Sequence, residues 1–201
     1  MTAADLLVLH SLRCIGFAGL ERVAEAAGLA QPDTESELID LAVAGLVTKT
    51  SGAFGGWGLT EAGRTADAER ISAELDAAGA RVPVSVAYEE FLELNPELLD
   101  LCSAWQLRSE EGVVTPNDHA DAGYDALVLD RLADLDRRVG VVCADLSALL
   151  PRFQRYRVRL TAALTRARAG ELDFVTNDLA SYHSVWFQLH EDLLVTLGIP
   201  R

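Results

Sequence analysis

Lysine is nearly absent from this 201-residue chain: Lys49 is the only one among 17 basic side chains, and 31 acidic ones bring the formal charge to −14. Dedicated nucleic-acid binders neutralise phosphates with clustered cations, and a strongly negative field slows approach to a polyanion. Neither residues 1–81 nor residues 82–201 are basic, so neither half offers a general electrostatic grip on DNA. The 3 cysteines, Cys14, Cys102 and Cys143, are far apart and form no C-x-x-C pair, which excludes a disulfide framework or a zinc knuckle and fits a reducing compartment. No apolar run approaches the ~18 residues needed to span a bilayer, and Met1-Thr2-Ala3-Ala4-Asp5 has no basic n-region. A cytoplasmic protein without membrane contact is the expectation. P-loop, G-x-G-x-x-G, G-x-S-x-G and H-E-x-x-H signatures are all missing, so neither catalysis nor a cofactor is expected.

What remains is the composition of a packed globular protein, with 50% hydrophobic and 24% charged residues. Residues 4–15 carry apolar positions 6, 7, 9, 12 and 15, one broad face of a helix ended by Gly16. Leu20, Val23, Ala24 and Ala27 predict a second helix, closed by Gly28 where a left-handed residue is needed. A third is predicted from Thr34-x-x-Glu37, in the form of a capping box, through Leu38, Leu41 and Ala42 to Gly45. Leu46 to Thr50 and Trp57 to Leu59 then predict a hairpin around a glycine-rich tip, and Thr60 is placed to cap a helix running to about Leu75 or beyond.

Within that order, Ala44-Gly45-Leu46-Val47 and Leu59-Thr60-Glu61-Ala62-Gly63-Arg64 resemble the recognition-helix exit and post-wing segment of MarR-like winged helix-turn-helix regulators. The resemblance covers about residues 4–78. It implies a third helix entering the major groove, a wing on the flanking backbone, and DNA contacts at Ser36, Glu37, Asp40, Lys49 and Arg64. The sequence departs from the family in one respect: Gln31 to Val47 holds Asp33, Glu35, Glu37 and Asp40 and no basic residue. That departure supports the alternative of a winged helix whose acidic third helix docks on a protein partner, the whole acting as an accessory subunit without DNA.

Beyond Ala80 no strand run stands out, and residues 81–201 are expected to form an all-α bundle that binds a small effector, forms a homodimer, or both. Pro83 to Leu94, Asn95-Pro96 to Arg108, Tyr124 to Leu150, Arg152 to Ala169 and Asn177 to Gly198 are the predicted helices, with a loop around Glu110 to Asp118. The expected fold is therefore mainly α, a winged-helix unit over 1–80 followed by a helical unit over 81–201.

Trp105, Arg108, His119, Tyr182, His183, Trp186 and His190 are the candidate ligand-binding residues. Their aromatic rings, imidazoles and one guanidinium suit an organic ligand between helices. His183 and His190 lie about 10 Å apart along one helix, too far to share a metal ion. His119 with His183 is a weaker metal candidate, and Asp118 and Asp121 suit ordinary turn and cap roles. Arg152, Arg155, Arg157 and Arg159 are the densest basic patch, and arginines so placed commonly pair with acidic neighbours.

Overall fold

A computed structural model describes residues 2–52, 55–110 and 112–200. The protein is mainly helical. Helices α1 (Ala4–Ile15), α2 (Leu20–Ala27) and α3 (Gln31–Val43) lead into an antiparallel hairpin, β1 (Val47–Thr50) with β2 (Gly56–Leu59), and then α4 (Glu61–Ala77). Gly28 is left-handed at φ 70°, as the end of α2 requires. Thr60 caps α4, its hydroxyl accepting from Gly63 N at 3.0 Å. α3 begins earlier than the capping-box pattern suggests: Pro32 sits in its first turn, and Thr34 is buried inside the helix, where its hydroxyl donates back to Ala30 O at 3.0 Å. Proline is at home in a first turn because its missing N–H would have no partner there.

Two backbone devices fix the hairpin to its surroundings. Ala18, between α1 and α2, exchanges hydrogen bonds of 3.0 and 2.8 Å with Trp57, adding a third short stretch to the edge of β2. At the other end, Leu46 O accepts from Thr60 N at 3.0 Å. Val8, Leu9, Leu12, Val23, Leu38, Leu41, Val47 and Trp57 form the apolar core of this region.

The remaining chain is α5 (Arg81–Gln106), a hairpin of β3 (Leu107–Glu110) with β4 (Val113–Pro116), α6 (Ala122–Leu149), a 3-10 turn (Pro151–Phe153), α7 (Gln154–Arg168), α8 (Asp173–Thr176) and α9 (Tyr182–Leu197). Three expectations are corrected. The segment is not all α, because the stretch read as a loop folds back as β3 and β4; Val113 and Val114 are exposed, so no alternating burial announced the strands. The two helices expected over 83–108 are one, α5, with Pro96 inside it, and it ends at Gln106, leaving Leu107 and Arg108 to β3. The last predicted helix starts later than expected, at Tyr182 and not Asn177, and the short α8 precedes it. A second core, from Leu75 to Leu193, is centred on Phe91, Trp105, Phe153, Tyr156, Tyr182 and Trp186. No helix among the described residues is long and apolar enough to cross a membrane.

Candidate functional site

The outward side of α3 offers Asp33, Glu35, Ser36, Ile39, Asp40 and Val43 to solvent. Glu37 is half-buried, and burial together with Asp5, Asp40 and Asp33 pushes its carboxyl up. The two cations expected on the flanking backbone are already engaged: Lys49 Nζ lies 5.0 Å over the Trp57 ring, and Arg64 Nε is 3.4 Å from Glu61. Arg13 turns towards α9 and meets Glu191 at 3.7 Å.

The seven candidate ligand-binding residues are distributed over three places. Trp105, Arg108 and His119 meet at the corner of α5, β3 and the start of α6. There the His119 ring lies 4.6 Å from Trp105, while Arg108 pairs with Asp121 at 3.2 Å and covers the Tyr124 ring. Tyr182 and Trp186 are buried in the second core: Trp186 stacks on Phe91 at 4.6 Å and donates to Asn95, and Tyr182 donates to Asp136. His190 packs beside Phe91 and Tyr88. His183 lines a separate cavity of about 220 Å³ with Cys14, Arg22 and Gln188.

At the first corner His119 has φ 60°, the only non-glycine residue with positive φ among the described residues. Its Nδ1 faces Asp125 Oδ2 at 2.9 Å, and Asn117 Nδ2 donates to both Asp125 Oδ1 and the Trp105 carbonyl at 3.0 Å. His119 borders a cavity of about 510 Å³ with Glu171, Asp173 and Asn177. A carboxylate on Nδ1 orients an imidazole for proton exchange or metal ligation at Nε2. The cavity wall supplies carboxylates but no serine or cysteine nucleophile. Burial also pushes the Cys102 thiol up to about 11 and the Cys143 thiol to about 12, so both stay protonated at neutral pH.

Where α1 and α4 meet α7 and α9 there is a buried ionic junction. Asp192, fully buried on α9, accepts from Arg152, from Arg155 at 2.9 Å, from Tyr156 at 2.8 Å and from Thr196 at 3.0 Å. His10 Nε2 lies 3.0 Å from the same carboxylate, while His10 Nδ1 lies 3.0 Å from Asp67. With an oxygen acceptor at each ring nitrogen, both nitrogens carry protons and His10 is an imidazolium. Arg152 Nε continues to Glu74 at 2.7 Å, and Arg155 reaches Ser11 at 2.9 Å. Asp67, Asp192 and Glu74 thus balance His10, Arg152 and Arg155, which is the condition for burying charge at tolerable cost. Sequence reasoning expected Arg152 and its neighbours to pair with acidic residues, as Arg152, Arg155 and Arg157 do, but it did not place those pairs in the interior and it passed over His10. The one available signal was Asp192 and Thr196 at i, i+4 among leucines of an apolar helix. His10 Nε2, Cys14 Sγ and an Asp192 oxygen lie within 4.8 Å of one another, so these three could approach one cation. Ligation would strip the proton from His10 Nε2 beside two guanidiniums, and the hydrogen-bonded assignment accounts for the same atoms without that loss.

Burial opposes the charge on His10, but Cys14 and the two carboxylates outweigh it and hold the imidazole well above its ordinary 6.5. For Asp192, burial is likewise outweighed by Arg152, His10 and Arg155, which hold it well below 3.8. A raised histidine contributes stability that is complete below its unfolded pKa and disappears as pH rises through the folded value; a depressed aspartate contributes above its unfolded pKa and loses this as pH falls. The unfolding free energy from urea titration is therefore expected to be highest between the carboxylate range and 6.5 and to fall above 6.5 with a slope of up to ~1.4 kcal/mol per pH unit. In His10→Gln that alkaline slope should vanish; if it persists, His10 is not the charged group.

No family model, curated protein or solved structure matches the chain, so its functional reading rests on these residues alone.

Proposed function

We propose that this is a regulatory protein of winged-helix design, in which α3 makes the macromolecular contact and the helical part 81–201 senses a small effector. The order of three helices, hairpin and helix supports that design. One observation selects the kind of partner. The 13 residues of α3 include no cation, and their outward side combines Asp33, Glu35 and Asp40 with two exposed aliphatics, Ile39 and Val43. A duplex would bring phosphates against these carboxylates, whereas a basic protein surface would pair with them and cover the two aliphatics. The protein is on this reading an accessory or adaptor subunit whose α3 docks on a basic partner.

DNA is the second reading, favoured by the resemblance of the α3 exit and post-hairpin strings to MarR-like regulators. In that case two copies would present paired α3 helices to half-sites one helical turn apart, with Lys49 and Arg64 on the flanking backbone. A salt series on random duplex DNA separates the two. The adaptor reading expects no retention at about 50 mM salt; micromolar binding that weakens steeply as salt rises, and is lost in Lys49→Gln, would replace it with the DNA reading.

A further inference from the structure

A cavity of about 720 Å³ opens between the turn joining α1 to α2 and the turn joining α8 to α9. We propose that it binds a small organic monocarboxylate with an apolar body, the carboxylate held by Arg22 and Arg159. The proposal concerns a different surface from α3 and holds whichever macromolecule α3 contacts.

Arg159 is only 9% exposed, and its buried Nε has no hydrogen-bond partner; its nearest carboxylate, Glu25, is 4.0 Å away, beyond hydrogen-bonding distance. Arg22 is half-buried, and its Nε is also buried without a partner. Buried guanidinium groups in proteins are normally saturated, because an unmet N–H costs its full desolvation. On the same segment Arg152 and Arg157 follow that rule, against Asp192 and Glu74 and against Asp136, and Arg155, whose Nε is also unmatched, has both terminal nitrogens bonded, to Ser11, Tyr156 and Asp192. Two under-satisfied cations on one cavity wall are what a bound anion would complete. Removal from water, the main cause, together with the like charges of Arg155 and Arg22 holds Arg159 below its ordinary pKa.

The rest of the wall sets the ligand class. Phe17 and Leu179 are 50% and 61% exposed and face the cavity, supplying apolar cover for a hydrocarbon body. Glu21, Glu25 and Asp178 also border it, so every negative charge beyond the one seated on the arginines adds repulsion, which disfavours a polyphosphate or dicarboxylate relative to a monocarboxylate. Asp178 is held by its own turn, its side chain accepting from Ala180 N at 2.7 Å, and does not compete for the arginines. The volume falls within the range of small-molecule sites. Because one wall comes from the α1–α2 turn and hairpin tip at Gly55 and the other from α7 and the α8–α9 turn, an occupant would bridge the two cores.

The test is calorimetric titration of the full chain with phenylacetate, acetate, isovalerate and the neutral isostere phenylacetamide. Phenylacetate is expected to bind with a Kd below about 1 mM, acetate more weakly, and phenylacetamide not at all. Arg22→Gln and Arg159→Gln should each weaken phenylacetate by at least about tenfold, while Arg166→Gln, an exposed pair with Glu171 elsewhere on α7, should leave it unchanged. Arg22 is half-exposed, so its variant reports even if Arg159→Gln fails to fold. Absence of binding by all three acids up to 10 mM, equal binding of the amide, or affinity unaltered in Arg22→Gln overturns the proposal.

Discussion

Asp192→Ala is expected to lower the stability of the protein by about 3–5 kcal/mol. The side chain makes no contact with water and is the common acceptor for Arg152, Arg155, Tyr156, Thr196 and His10. Deleting it removes one charge but strands two guanidiniums and an imidazolium in a site that water does not reach. Their uncompensated burial, more than the loss of any one bond, sets the size of the effect. Asp192→Asn should also be destabilising, since an amide preserves the shape and cannot balance the cations. By contrast, Asp134→Ala removes a partner of Arg137 on the exposed side of α6, where both groups are more than half in water, and should have little measurable effect. Urea denaturation of the three variants checks the ranking. A loss of less than about 1 kcal/mol for Asp192→Ala would mean that the junction is hydrated or dispensable. Since the network joins α1 and α4 to α7 and α9, the wild type should melt in one transition by tryptophan fluorescence and circular dichroism. In Asp192→Ala the two probes should separate.

Gly63→Ala should be destabilising by about 2 kcal/mol or more, contrary to helix propensity. Gly63 lies in the first turn of α4, where alanine would ordinarily gain about 0.5–1 kcal/mol. A Cβ there would stand 1.9 Å from the Leu46 carbonyl oxygen, which is backbone and has no rotamer through which to yield. The same carbonyl accepts from Thr60 N at 3.0 Å and from the Thr60 hydroxyl at 3.1 Å. Moving it away therefore loosens the cap of α4 and the base of the β1–β2 hairpin together. A fall in melting temperature with altered Trp57 emission is expected, and a gain in stability would show that α4 can move aside without cost. Gly56 is constrained in the same way, by Ala18 O at 2.8 Å from the Cβ it lacks.

Both effects depend on residues whose local signals were legible and whose partners were not. Apolar spacing marked α1, α2 and most of α9, glycine marked where they end, and Thr60 marked the start of α4, because caps and amphipathic faces are properties of a few consecutive residues. The acidity of α3 was legible for the same reason. The β3–β4 hairpin was not, since β4 is exposed along its length and no alternation of burial distinguishes it from a loop. The continuity of α5 through Pro96 was also hidden, because local rules place a helix start at Asn-Pro and only packing against α6 and α9 keeps one axis.

By itself the sequence determined a mainly helical chain, where most helices begin and end, an acidic α3 and three cysteines free of any pairing motif. Only the tertiary structure decided which charges are inside. His10 meets Asp67 across 57 positions and Arg155 meets Ser11 across 144, while Arg159, four residues on, is left facing a cavity with its Nε unmatched. Whether an arginine is a surface charge, half of a buried pair or an anion receptor depends on which distant acid the fold brings to it. Coulomb energy and desolvation act through space, at distances that spacing along the chain does not encode.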